Sequence, residues 1–161
     1  MESNSENCVQ GSIFNSHPEW DDECYEQGIT SEDREISSKH LVKARTQLVL
    51  DRPFFGRLAT KLKYQEDLAA NSCWVNGEIF GYNPKFLSEK TLGQVKTILA
   101  HELLHCALKH HCAYRRGARD GHWWNKAGDY VVNYILKRSD FEWIDGILYD
   151  EKYDQNYSIE Q

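Results

Sequence analysis

The sequence contains no apolar run near the roughly 20 residues that a membrane-spanning helix needs. Its first ten residues, MESNSENCVQ, lack the basic start and apolar core of a secretory signal. Positive charge is also scarce, because 19 Lys and Arg stand against 25 Asp and Glu, for a net charge of -6. An overall electrostatic footprint for nucleic acid or anionic lipid is therefore missing. We expect a cytoplasmic protein that binds neither nucleic acid nor a membrane.

Cysteine occurs at only five positions, without the tight spacings of a disulfide framework. In a reducing compartment this pattern predicts free thiols. What the chain does have is 161 residues, of which 40% are hydrophobic and 27% are charged. This composition predicts one soluble globular domain and gives no indication of oligomeric state.

The negative charge is concentrated at the N-terminus. Residues 1–37 hold ten acidic residues and one basic residue, Arg34. With few aliphatic side chains, this segment cannot bury enough apolar surface to order itself. We therefore expect a flexible acidic extension over residues 1–37 and a folded domain over residues 38–161. Phe14, Trp20 and Tyr25 leave open a partial docking of the extension onto the domain.

Local signals predict helices and one hairpin. Ser37 or Ser38 is expected to cap a first helix that ends or kinks near Pro53, and a short second helical segment follows. Residues 72–75 and 78–82 read as two strands joined by Asn76-Gly77, the dipeptide preferred in a type I′ turn because both positions need positive φ.

Two further helices follow the hairpin. A capping box at residues 91–94 opens a helix that is expected to run without Gly or Pro from Gln94 to Arg116. Another helix is expected from about residue 123 to residue 137, with Trp123 and Trp124 as core anchors. The predicted fold class is α+β, mainly helical, with a small hairpin or sheet beside the helix of residues 94–116.

The sequence His101-Glu102-Leu103-Leu104-His105 has the pattern HExxH. Four residues advance an α-helix by about 400°, so the two His side chains project from one face. Neutral imidazoles at this spacing can bind one Zn²⁺ ion, and Glu102 is placed to act as the general base on a water molecule that the metal activates. The chemistry predicted is attack on a carbonyl group, most often that of a peptide bond.

A catalytic zinc site usually has a third protein ligand, for which several residues are candidates. His111 would complete a metzincin layout, but that pattern has Gly where this chain has Leu108. On a continuous helix, His110 and His111 point away from the metal-binding face and are expected to be partly exposed. Asp120 lies in a polar segment for which a turn is the ordinary explanation.

Asp129 is the favoured third ligand, with His111 as the alternative. It lies in the apolar stretch AGDYVV, where an unpaired carboxylate would be unfavourable and a metal would satisfy it. Asn125 and Asn133 stand four residues to either side, on the same helical face, and can hydrogen-bond the ligands. The predicted site is gluzincin-like.

Several sequence blocks resemble a known family. The blocks are KARTQLVLDRPFFGRLATKL, VNGEIFGYNPKFL, HELLHCALKHH, ARDGHWWNKAGDYVVN and ILYDEKYDQNYS. In this order they resemble a metallopeptidase domain of bacterial and phage proteins, which in longer members precedes a von Willebrand factor A-like domain. The resemblance covers roughly residues 38–158. It implies a zincin fold with His101 and His105 as metal ligands, Glu102 as general base and Asp129 in the acidic position.

Two functional hypotheses follow. The first is a zinc-dependent hydrolase, a metallopeptidase that acts on a protein or peptide substrate, which would add as a strand to residues 78–82 at the edge of the sheet. The second is a catalytically silent, zinc-stabilised binding protein that engages a protein partner. The second predicts a closed site with four protein ligands, the fourth being His111 or Cys112.

Overall fold

The computed structural model describes residues 28–153 and residue 159. Within that part of the chain, helices dominate and the strands form one small sheet, which confirms the predicted α+β class. None of the described helices is long and apolar enough to cross a membrane. The elements are α1 (Ser31–Asp51), α2 (Pro53–Ala59), β1 (Lys63–Glu66), β2 (Cys73–Val75), β3 (Ile79–Tyr82), α3 (Pro84–Ser88), α4 (Leu92–Ala107), α5 (Ala113–Arg116) and α6 (Gly121–Arg138).

Helix α1 begins earlier than the sequence predicted. Thr30 caps it in a capping box: its hydroxyl accepts from the Asp33 amide, and the Asp33 carboxylate accepts from the Thr30 amide at 2.8 Å. Acidic residues in the first turn also suit the positive end of the helix dipole. The prediction that Ser37 or Ser38 caps this helix is therefore wrong. Residues 1–27, including the three aromatic residues of the proposed extension, lie outside the described residues, and their flexibility stays a prediction.

The hairpin of β2 and β3 is confirmed, but its turn differs from the predicted one. The Asn76 amide donates to the Ile79 carbonyl at 3.3 Å, so Gly77 and Glu78 are the two central residues. Gly77 has a φ of 96°, whereas Asn76 has a negative φ. The prediction of a type I′ turn centred on Asn76-Gly77 is therefore wrong. The Asn76 side chain instead accepts from the amides of Glu78 and Ile79, which stabilises the shifted turn.

A third strand joins this hairpin. Strand β1 pairs in parallel with β3, so the strand order is β1-β3-β2. Because β3 is paired on both sides, the prediction that residues 78–82 form the edge strand is wrong. The sequence KYQE of β1 carries little apolar signal, which explains why the strand was not predicted. Strand β2 is the edge strand that packs against α4.

Helix α4 is the centre of the fold and packs against α1, α2, α6 and β2. Every residue from Thr97 to His105 is buried, so the side of the helix that carries polar groups is enclosed as well. The apolar core around it includes Leu48, Phe80, Leu87 and Leu136. The helix therefore holds His101, Glu102 and His105 away from bulk water.

Helix α4 ends at Ala107, so the prediction of a helix continuing to Arg116 is wrong. The His110 amide donates to the His105 carbonyl at 2.9 Å, and the Lys109 amide donates to the Cys106 carbonyl at 3.1 Å. These two bonds form a Schellman motif in which Lys109, with a φ of 57°, stands where glycine is usual. The chain therefore turns back towards the end of its own helix.

Helix α6 returns across α4 after this turn. The Asp120 side chain caps it by accepting from the Trp123 amide, and the indole of Trp124 donates to the His110 carbonyl at 2.8 Å. Trp124 is buried, as predicted, whereas Trp123 is 64% exposed, so its predicted role as a core anchor is wrong. The bond from Trp124 ties the start of α6 to the end of α4.

Candidate metal centre

Three of the predicted site residues converge between α4 and α6. His101 and His105 lie one turn apart on α4, with their Nε2 atoms 2.9 Å from each other. Asp129 reaches them from α6, and its Oδ1 lies 3.4 Å from the Nε2 of His101 and 3.2 Å from the Nε2 of His105. All three side chains are almost completely buried. Among the described residues, this is the one group of three or more His, Cys, Asp or Glu whose ligand atoms lie within 4.8 Å of one another.

The arrangement fits a metal ion. Ligand atoms about 2.0–2.1 Å from a tetrahedral zinc ion are about 3.3 Å apart, close to the separations of 2.9–3.4 Å found here. Two imidazole nitrogens and one carboxylate oxygen that face one another in a buried site repel unless a cation or proton lies between them. The Oδ1 atom of Asp129 is buried without a hydrogen-bond partner among the described residues. A cation would satisfy it.

The other candidates for the third ligand lie outside this cluster. His111 is half-buried, and its Nε2 lies 3.4 Å from the sulfur of Cys112. Asp120 is used as the cap of α6. The geometry therefore favours Asp129 over the His111 alternative.

Asn133 makes a hydrogen bond to one of the histidines, as the sequence suggested. The His101 Nδ1 and the Asn133 Oδ1 are 2.9 Å apart, and the Asn133 amide nitrogen donates to the Leu148 carbonyl at the same distance. Because the Asn133 oxygen can only accept, the Nδ1 of His101 carries a proton, which leaves Nε2 as the nitrogen that can give a lone pair to a metal. Asn125, the other predicted asparagine, makes no hydrogen bond to the cluster within the described part of the chain.

His110 was expected to be partly exposed, and this prediction is wrong. The residue is 3% exposed, and its Nδ1 lies 3.2 Å from the Nδ1 of His105. Sequence reasoning missed this contact because the Schellman turn has Lys109 in place of the glycine that usually signals one. No other pattern in the sequence marks the end of the helix.

Glu102 is 2% exposed, and its Oε1 has no hydrogen-bond partner among the described residues. Burial raises its pKa well above the ordinary value, and the nearby Asp129 carboxylate raises it further. For Asp129, burial alone would raise the pKa, but the nearby imidazoles of His101 and His105 outweigh it and lower the pKa. Burial, followed by the charge of His101, lowers the pKa of His105 and favours its neutral form. A neutral imidazole is the form that binds metals.

These features define a class: a helical domain with an HExxH helix and a buried cluster of two histidines and one carboxylate. Residues 36–153 match a family model described as "Putative metallopeptidase domain". The match covers more than two thirds of the chain, and the protein belongs to this family. Comparison with curated proteins finds no match, and comparison with solved structures finds none either.

Proposed function

We propose that the protein is a zinc-dependent metallopeptidase that cleaves peptide bonds in a protein or peptide substrate. One observation carries the proposal: the acceptor atoms of His101, His105 and Asp129 converge next to Glu102, whose buried carboxylate oxygen has no partner among the described residues. Family membership supports the same class of reaction. We assign the three converging residues as metal ligands and Glu102 as the catalytic base.

A bound zinc ion would supply Lewis-acid chemistry, polarising the carbonyl of the substrate and lowering the pKa of a water molecule. Glu102 accepts the proton of the attacking water and returns it to the leaving nitrogen. Burial makes this carboxylate a stronger base than an exposed one, and the positive charge of a bound zinc ion would favour its ionised form. Asn133 keeps His101 in the tautomer whose Nε2 can bind the metal.

The count of ligands favours catalysis over a silent structural site. A structural zinc site is closed by four protein ligands, whereas a catalytic site has three and an open position. Among the described residues, the cluster contains three candidate ligands, and neither His111 nor Cys112 belongs to it. This supports an open site and disfavours the zinc-stabilised binding protein.

We further propose that the substrate binds in an extended form along β2. This strand packs against α4, and one of its edges has no strand partner within the described part of the chain. An extended peptide can hydrogen-bond such an edge. The sequence predicted that the substrate adds to residues 78–82, but these residues lie in the centre of the sheet, so β2 takes their place in the proposal.

Metal content and peptide cleavage test the proposal together. We expect near-stoichiometric zinc by elemental mass spectrometry in the wild type and in the Asp145→Ala variant, which removes an exposed carboxylate. The Asp129→Ala variant should lose most of its zinc, and a mixed peptide library should be cleaved only by the zinc-loaded wild type and control. Absence of any transition metal in the wild type would refute the proposal, and zinc retained by the Asp129→Ala variant would refute Asp129 as a ligand.

A further inference from the structure

His110 contacts the candidate centre from the side opposite to Asp129. Its Nδ1 lies 3.2 Å from the Nδ1 of His105, while the Nε2 of His105 faces the Asp129 carboxylate at 3.2 Å. His105 therefore has one ring nitrogen towards the cluster and the other towards His110. The rings of His105 and His110 meet edge to face, with their centroids 5.0 Å apart.

His110 is held firmly in this place. The Schellman turn at Lys109 fixes its backbone amide on the His105 carbonyl, and the Trp124 indole donates to its carbonyl. Its side chain is 3% exposed, and a Cβ on Gly128 of α6 would lie 3.0 Å from its Nδ1. The imidazole is thus enclosed by α4, α6 and the turn between them.

The chemistry of the pair follows from the role of His105. If Nε2 of His105 gives its lone pair to a metal, the ring proton is on Nδ1. That N–H can donate to Nδ1 of His110, provided that this atom keeps its own lone pair. Asn133 accepts from the Nδ1–H of His101 in the same way. Both candidate histidine ligands would then have an acceptor behind them, one an amide and the other an imidazole.

We propose that His110 is a positioning residue that fixes the tautomer and ring orientation of His105 for metal binding. The inference rests on the proposed metal centre, but it concerns metal affinity and not peptide cleavage. His110 is not itself a ligand, because its Nδ1 faces the nitrogen of His105 that points away from Asp129.

Two variants of similar shape test this role. The His110→Asn variant keeps a carbonyl acceptor near the position of Nδ1, whereas the His110→Leu variant has nearly the same shape without an acceptor. Both variants lose any other contact that the imidazole makes. The difference in zinc affinity between them therefore reports only the hydrogen bond to His105. Zinc affinity, measured by competition with a chromophoric chelator, should fall about 10–100-fold in the Leu variant. The zinc affinity of the Asn variant should remain closer to that of the wild type. The control variant His122→Leu, which changes an exposed histidine, should bind zinc with the wild-type affinity.

Nitrogen-15 NMR of the zinc-loaded proteins gives a second readout that does not depend on measuring affinity. We expect a proton on Nδ1 of His105, visible as a slowly exchanging ring N–H that persists in the Asn variant and is lost in the Leu variant. X-ray absorption should count two imidazole ligands in all three proteins.

Distinct outcomes would overturn the inference. Equal zinc affinity of the Leu and Asn variants, a proton on Nε2 of His105 in the wild type, or a third imidazole at the zinc would each reject the positioning role while leaving the metal centre in place. A wild type that binds no zinc would reject the centre and the inference together.

Discussion

Replacement of Glu102 by Gln separates metal binding from catalysis in this protein. The side chain is 2% exposed and its Oε1 lacks a partner among the described residues, so replacement of this oxygen by an amide nitrogen breaks no hydrogen bond there. Gln cannot accept the proton of the attacking water. The variant should therefore fold, bind zinc as the wild type does, and fail to cleave peptides.

The size of the expected loss follows from the surroundings of Glu102. Positioned proton transfer contributes about 10²–10⁴-fold to a rate. The other carboxylate at the centre, Asp129, already lies against the Nε2 atoms of His101 and His105. Because Asp129 is engaged in this way, we do not expect it to replace Glu102 as the base. We therefore expect kcat/KM to fall at least about 10³-fold, which corresponds to about 4 kcal/mol in the activation barrier.

The same substitution should change how stability depends on pH in the metal-free protein. The pKa of Glu102 is raised by burial, so above its ordinary value of about 4.3 the unfolded chain releases a proton that the native state retains. The contribution of Glu102 to the free energy of unfolding is therefore present at low pH and is lost as the pH rises. Urea unfolding should show a smaller loss of stability between about pH 5 and pH 8 in Glu102→Gln than in the wild type.

The assays are cleavage of fluorogenic peptides, zinc content and urea unfolding, with the exposed Glu89→Gln variant as the matched control. The control should equal the wild type in all three. Cleavage by Glu102→Gln at the wild-type rate would refute the assignment of the base. Loss of zinc from this variant would instead show that Glu102 is a ligand.

Three further predictions concern the centre and the fold. Asn133→Ala should weaken zinc binding about 10–100-fold in a chelator competition, because His101 loses its acceptor; unchanged affinity would contradict this. A chelator should lower the melting temperature of the wild type but not that of Asp129→Ala, since only a site that binds zinc gains stability from it; equal shifts in calorimetry would contradict the ligand set. Gly56→Ala should destabilise the protein by about 1–3 kcal/mol in urea unfolding despite the better helix propensity of Ala, because its Cβ would lie 2.5 Å from the Cα of Val49; a stabilised variant would show that α1 and α2 can separate freely.

The features that the sequence predicted well are those that depend only on residues close together in the chain. The spacing of His101 and His105 depends only on helix geometry, and Thr91 with Gln94 marks the start of α4 as a capping box. Asp129 could be expected beside these histidines because a carboxylate within an apolar helical stretch needs a partner, and its role as a ligand stays a prediction. These inferences required no knowledge of how the helices pack.

The features that it missed depend on backbone conformation or tertiary pairing. Lys109 adopts a left-handed conformation without being glycine, at a cost of about 1–2 kcal/mol that the two Schellman bonds and the burial of His110 offset. Strand β1 is a polar segment that becomes a strand only because β3 offers it an edge. The sequence predicts Asn76 as a central turn residue, whereas in the structure it stands one position earlier and its side chain accepts from the amides of Glu78 and Ile79.

The early end of α4 and the close approach of α6 are two parts of one arrangement. Gly128 has no side chain where a Cβ would lie 3.0 Å from the Nδ1 of His110 and 3.3 Å from the Cε1 of His105. The missing side chain lets α6 approach closely enough for the next residue, Asp129, to reach both Nε2 atoms. Since the candidate ligands come from two helices, the site exists only when α4 and α6 are packed together. Zinc binding and the docking of α6 should therefore stabilise each other.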